Sequence, residues 1–70
     1  SFDEYEGDWD RDKRHGVGSC FYRDGGFYSG EWEADARKGT GTMIFANGDT
    51  YLGQWSDDMR EGEGTMWFAS

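Results

Sequence analysis

Arg14, Arg37 and Arg60 stand 23 residues apart, and each is followed by a second polar residue: His15, Lys38 and Glu61. A cation recurring at one position is the chemistry of anion recognition, with guanidinium forks on phosphate or carboxylate. Arg14, His15, Arg37, Lys38 and Arg60 are therefore the candidate anion contacts. A competing reading is a local ion pair within each loop, because Asp12, Asp35 and Asp58 lie two residues before the three arginines. It is the nearer reading. Strands two apart lie roughly 10 Å from each other, near the Debye length at physiological salt. A neutralising Asp in each loop then cancels much of the ladder's field.

Other chemistries find little support. His15 is the one histidine, placed in a hairpin loop. Cys20 sits where the other repeats carry Met43 and Met66, which points to packing rather than nucleophilic attack. The Gly-x-Gly pairs have no following Lys or Ser/Thr on a helix, so they are not phosphate loops. The carboxylates alternate outward without a buried pair, and no Cys/His cluster has the spacing of a metal site. The expectation is a chain without catalytic residues, metal or cofactor.

The arginines belong to a longer pattern. Tyr5, Tyr28 and Tyr51 each open a Tyr-x-Gly-x-Trp run that ends at Trp9, Trp32 and Trp55. A Gly-x-Gly pair begins seven residues after each Trp, at Gly16, Gly39 and Gly62, and a bulky residue follows at Tyr22, Phe45 and Phe68. Such a period signals a repeat architecture, whose usual product is an extended binding surface. Helix is a poor assignment, because the 12 glycines recur inside the unit and each costs roughly 1 kcal/mol against Ala in a helix. Alternation fits instead. Tyr, Gly and Trp share one parity and the acidic residues the other, so each unit is a hairpin with an aromatic-glycine face and a more polar face.

The connectors Arg23-Asp24-Gly25 and Ala46-Asn47-Gly48 set the register. A two-residue turn at Asn47-Gly48 would put Tyr51 on the polar face. A three-residue loop with a glycine bulge keeps the aromatics together and pairs Met43 with Tyr51. Carried across the sheet, this register predicts three rows. One alternates Trp and Gly, with Trp9 opposite Gly16 and Gly39 opposite Trp55. One is all Gly. One alternates Tyr with Cys20, Met43 and Met66. The Gly row reads as a shallow trough, with Tyr5, Trp9, Tyr28, Trp32, Met43, Tyr51, Trp55 and Met66 as its candidate partner-binding walls. The nearer reading is that the same rings are the sheet's own core, because the glycines fit them, with their outer edges left uncovered in a single layer. Phe21, Ile44 and Trp67 form a bulky stripe on the opposite face, either half-buried strand residues or a second contact for self-association or another domain.

Seventy residues make one small domain at most, and a chain of this size buries only about 60% of its unfolded surface. With Cys 1 there is no intrachain disulfide, and a lone Cys fits a reducing, cytoplasmic setting. The net charge of −8 disfavours nucleic acid and anionic membrane surfaces. No apolar run is long enough for a membrane span or a signal peptide. Ser1-Phe2-Asp3 lead directly into the first unit, and the chain closes on the strand-like run Trp67-Phe68-Ala69-Ser70. The expectation is one fragment of a longer array over 1–70, with units at approximately 5–27, 28–50 and 51–70.

These residues resemble the MORN (membrane occupation and recognition nexus) repeat family, whose unit reads Tyr-x-Gly-x-Trp, a polar loop, Gly-x-Gly and an Asp/Asn-Gly turn. The resemblance implies an all-β, elongated, single-layer antiparallel sheet of three tandem hairpins acting as a non-enzymatic scaffold. It implies a groove for a partner helix or peptide, in a cytoskeletal, ciliary or flagellar axonemal assembly. Two alternatives also follow from it: a membrane-associated module on anionic phospholipid, and a structural spacer or regulatory segment of a larger enzyme. Cys20 in place of a larger residue and Glu61 in place of a cation depart from the pattern, and the second weakens any basic stripe.

Overall fold

A computed structural model describes residues 3–69. Ser1, Phe2 and Ser70, named above at the two ends of the pattern, lie outside the described residues. Six strands follow one another: β1 (Glu4–Asp10), β2 (Lys13–Phe21), β3 (Phe27–Glu33), β4 (Ala36–Ile44), β5 (Thr50–Ser56) and β6 (Met59–Trp67). They form one open sheet in sequence order, antiparallel throughout, within 40 × 30 × 15 Å. Every strand therefore pairs with its chain neighbours, as expected for tandem hairpins.

The connectors between units are three-residue loops, as predicted. The Tyr22 N–H donates to the Gly26 carbonyl (2.9 Å) and the Phe45 N–H to the Asp49 carbonyl (2.8 Å). Gly25 and Gly48 close them at φ 101° and 97°, a region that favours glycine. Asp24 and Asn47 side chains accept from the Gly26 and Asp49 N–H groups at 2.8 and 3.0 Å, which fixes each loop locally.

The register between units matches the expectation: Gly39 opposes Trp55 and Met43 opposes Tyr51. The Tyr row and the all-Gly row also run unbroken, from Tyr5 opposite Cys20 and Gly7 opposite Gly18 to Tyr51 opposite Met66 and Gly53 opposite Gly64. The Trp row within a unit is corrected. Trp9 opposes Arg14, not Gly16, and Trp32 and Trp55 likewise oppose Arg37 and Arg60. The reason is the turn. Each hairpin closes in two residues, Arg11–Asp12, Ala34–Asp35 and Asp57–Asp58, all at φ between 50° and 72°. This is the I′ geometry that matches strand twist. The surplus residues are absorbed in a bulge at Gly16, Gly39 and Gly62, at φ 69°, 76° and 61°. The Asp8 and Glu31 carboxylates bridge the first two bulges, accepting from the Val17 and Thr40 N–H groups.

The core lies on the aromatic face of a single layer. Cys20, Tyr28, Trp32, Tyr51 and Trp55 are buried, with Tyr5, Tyr22, Met43, Phe45 and Met66 packed against them. Across the opposite face, Phe21, Phe27, Ile44, Thr50 and Trp67 form one cross-strand row.

Candidate functional site

The glycine trough is occupied by the protein's own tyrosines. Each ring lies across the glycine of the paired strand (Tyr5 over Gly18, Tyr28 over Gly41, Tyr51 over Gly64), and its hydroxyl donates to the carbonyl three residues on. The pairs are Tyr5 to Asp8 at 2.8 Å, Tyr28 to Glu31 at 2.9 Å and Tyr51 to Gln54 at 3.2 Å. A Cβ on Gly18, Gly41 or Gly64 would collide with the phenol of Tyr5, Tyr28 or Tyr51. Burial pushes the Tyr28 phenol up to about 12, against a lowering by Arg37, and raises Tyr22 to about 12 in the same way.

The indoles complete the layer. Trp32 and Trp55 donate from Nε1 to the Gly18 and Gly41 carbonyls of the preceding unit, at 3.0 and 3.2 Å. Edge-to-face contacts run Tyr5–Trp32, Tyr28–Trp32, Tyr28–Trp55 and Tyr51–Trp55 at centroid distances of 5.0 to 5.5 Å. Of the eight residues expected to wall a trough, Tyr28, Trp32, Tyr51 and Trp55 are buried in this ladder, and Tyr5, Met43 and Met66 are half-buried. Trp9 is 57% exposed.

The arginines join units rather than serving their own loops, so the local pairing expected above is corrected. Arg14 binds Asp35, and Arg37 binds Asp58, each at the tip of the next hairpin. At the first junction the Arg14 N–H and Nε both donate to Asp35 Oδ1 (2.8 and 3.1 Å), and Nη2 donates to the Asp35 carbonyl (2.9 Å). The Asp35 N–H returns a bond to the Arg14 carbonyl at 3.0 Å. The second junction repeats all four bonds with Arg37 and Asp58. Each guanidinium also covers the indole of the next unit, 4.5 Å from Trp32 and 4.6 Å from Trp55. The cause lies in the two-residue turn. It brings each Arg opposite its own Trp and puts the next hairpin's tip, 21 residues on, within reach. The Arg14 N–H, then its guanidinium, hold the Asp35 carboxyl below the usual carboxylate range.

Arg60 makes no ion pair among the described residues; its guanidinium lies 5.6 Å from the Tyr51 ring. Lys38 meets Glu33 at 3.7 Å. His15 and Lys38 line an open groove of about 590 Å³ that Glu31, Glu33 and Glu61 also line, so its charge is mixed.

Besides the exposed Trp9, the aromatic face is open over Met43 and Phe45. One groove of about 450 Å³ is lined by Arg37, Met43, Phe45, Trp55, Asp58, Met59 and Arg60. It shares Arg37, Met43 and Phe45 with a neighbour of about 350 Å³ that reaches Tyr22 and Asp24. Phe45 and Tyr22 were legible as a periodic bulky position; Met59 carried no such signal. The opposite face is also apolar in part: Phe21 and Trp67 are more than half exposed, and Phe21 packs on Phe27 at 4.6 Å. Cys20 is fully buried and burial raises its thiol, which suits packing rather than attack. Among the described residues no three His, Cys, Asp or Glu side chains converge as metal ligands, and no helix is long and apolar enough to cross a membrane.

A comparison with curated proteins finds no match. The family model for the MORN repeat matches residues 5–27, 28–50 and 51–70. Those spans coincide with the hairpins that carry the Tyr-Gly-Trp ladder and the Arg–Asp junctions, and the chain belongs to the MORN repeat family.

Proposed function

We propose that the chain is a protein-interaction scaffold whose aromatic face receives a partner helix or extended peptide. The observation that carries this reading is the pair of adjoining grooves that share Arg37, Met43 and Phe45, with Arg60 lining the larger. Trp55 of the ladder forms part of its floor. Half-buried Met and Phe give an adaptable apolar lining, and aromatic or apolar anchors dominate the affinity of such surfaces. The fitting ligand places an apolar side chain on Met43 and Phe45 and a carboxylate beside Arg60. A cytoplasmic setting, within a cytoskeletal or axonemal assembly, is part of the proposal and rests on the family resemblance and the acidic charge.

The phospholipid reading has less behind it. The net charge is −8, Arg14 and Arg37 are held by Asp35 and Asp58, and the groove at His15 and Lys38 carries three glutamates.

Display-selected peptides, mapped by backbone-amide NMR perturbation, test the proposal. Perturbations centred on Met43, Phe45 and Arg60, lost in Met43→Glu with the fold intact by circular dichroism, are expected. Binders that all map to Phe21, Ile44 and Trp67 would overturn it. Salt-sensitive sedimentation with phosphatidylserine vesicles, abolished by Arg60→Ala, would replace it with the lipid reading.

A further inference from the structure

The face opposite the aromatic ladder carries three parallel rows that cross the strands. Phe21, Phe27, Ile44 and Thr50 form the row nearest the connectors. Ser19, Ser29, Thr42 and Leu52 form the next. Val17, Glu31, Thr40 and Gln54 form the third, towards the hairpin tips. β2 to β5 each have a strand on both sides, so what they expose belongs to the face and not to an edge. Four large apolar side chains on these strands are exposed, Val17, Phe21, Ile44 and Leu52, and all four lie on this face, from 40% at Ile44 to 63% at Val17. An apolar surface of this kind marks a contact.

The small hydroxyl residues of the middle row, Ser19, Ser29 and Thr42, make the floor of a shallow valley between taller neighbours. Ser19 donates to Ser29 at 3.2 Å along that floor. From the first row to the third is four residues of strand, about 13–14 Å. That just admits an α-helix, about 10–12 Å across with its side chains. Charge borders the valley on one side only. Beyond the third row lies the open groove shared by Glu31, Glu33 and Glu61, while the first row is uncharged from Phe21 to Thr50. The lysines of this face already have carboxylates: Lys13 opposes Asp10, and Lys38 lies 3.7 Å from Glu33. Glu31 and Glu61 make no ion pair among the described residues.

We propose that this valley receives an amphipathic helix of a partner protein, laid across the strands, with an apolar stripe on Phe21, Phe27, Ile44 and Leu52 and Lys or Arg along the flank that meets Glu31, Glu33 and Glu61. β2 to β5 span about 14 Å, which takes about ten residues of helix. The stem of a Lys or Arg covers Val17 while its charged head enters the groove of glutamates. Complementary charge on one flank fixes how the helix lies and speeds its arrival. A second copy of this chain is the wrong occupant, because it brings a net charge of −8 and the same row of carboxylates to the contact. None of these side chains lines the grooves over Met43 and Phe45, so the two surfaces stand or fall separately.

Two designed helices of one composition test it, followed by backbone-amide NMR on the chain. Both carry a leucine stripe at i, i+3, i+4 and i+7. In one the lysines flank the stripe; in the other they lie opposite it. The flanked helix is expected to perturb Ser19, Ser29 and Thr42 saturably and to bind about tenfold more tightly than its isomer. Ile44→Thr copies Thr50 of the same row, and Glu61→Lys copies Lys38 of the preceding unit, so the sheet already accepts both residues at these positions. Each variant, folded by circular dichroism, is expected to raise the dissociation constant about fivefold or more. The loss in Glu61→Lys is expected to shrink as salt rises to about 1 M. No binding by the flanked helix, equal affinity of the two helices, perturbations centred on Met43 and Phe45, or binding that survives both variants overturns the proposal. So do shifts at Phe21 and Ile44 that follow protein concentration alone, which assign the face to self-association.

Discussion

The Arg14 N–H and its Nε converge on one oxygen, Asp35 Oδ1, while the Asp35 N–H bonds back to the Arg14 carbonyl. One aspartate thus satisfies backbone and side chain of a residue in the preceding unit. Its left-handed φ of 72° is what aims both its carboxylate and its N–H at the same neighbour. An Asp tolerates that conformation better than most residues.

Asp35→Ala removes the acceptor and leaves a residue less suited to the left-handed turn. A loss of about 1–2 kcal/mol in urea unfolding is expected, discounted because the carboxylate is half exposed. Asp35→Asn keeps the turn and an acceptor oxygen, and about half that loss is expected. The pH dependence has a definite sign. The folded carboxyl titrates below the unfolded one, so its stabilisation is present above the usual carboxylate pKa and disappears as pH falls through the folded value. The advantage of wild type over Asp35→Asn is therefore constant at neutral pH and shrinks only in acid. A gap that persists unchanged at the acid end contradicts the ion-pair account.

Gly41→Ala places a methyl group against the Tyr28 phenol, beneath a ring that is fully buried. The ring cannot lift without breaking its bond to the Glu31 carbonyl and its contacts with Trp32 and Trp55. A loss of about 3 kcal/mol is expected, at the upper end of overpacking costs. Gly48→Asn is the milder comparison: it bears the strain of φ 97°, eased by the tolerance of Asn for left-handed backbone, and its one near atom is the Ala69 Cβ at 3.2 Å, so a loss of about 1 kcal/mol is expected. The urea midpoint of Gly41→Ala should be clearly the lower of the two; equal midpoints would show that moving the Tyr28 ring aside costs no more than the loop strain at Gly48.

The rows of the sheet were legible because a period-two pattern and a three-residue connector leave one register that keeps Tyr51 with Met43. The inner turn was not. It has no Asn-Gly or Asp-Gly, and its left-handed residues are Arg11–Asp12, Ala34–Asp35 and Asp57–Asp58. Missing it shifted Trp9 onto Gly16 and hid the partners of Arg14 and Arg37. The filling of the trough was also illegible. Spacing places Tyr28 and Gly41 in adjacent rows but does not say that the ring lies flat across the glycine, which depends on a side-chain torsion and on the Glu31 carbonyl that receives the hydroxyl.

Tyr28 and Tyr22 both titrate near 12, because burial disfavours the phenolate. A spectrophotometric titration should show phenolate appearing near 12, reduced in amplitude in Tyr28→Phe and again in Tyr22→Phe. Each folded value lies above the unfolded one, so the contribution to stability is complete below the ordinary tyrosine pKa and is lost as pH rises through the folded value. Alkaline unfolding of wild type should therefore begin above the ordinary range. Tyr28→Phe should be less stable at neutral pH, since it forfeits the bond to Glu31, yet lose less on going alkaline.

Ala34 is the one apolar residue among the six left-handed turn positions, at φ 50°. Its methyl group bears the steric cost of that region and offers no polar atom in return. Asn is the preferred residue at the first central position of an I′ turn. Ala34→Asn leaves Asp35, and with it the bonds to Arg14, in place. Replacing Ala34 with Asn should therefore stabilise the chain by about 0.5–1 kcal/mol, part of it through a turn already favoured in the unfolded chain. The equivalent change at Asp57 should gain less, because Asp already tolerates its φ of 50°. Thermal unfolding of the two variants side by side decides the matter. If Ala34→Asn gains nothing while Asp57→Asn does, the hairpin tips are not limited by left-handed strain, and the Arg–Asp junctions alone set their geometry.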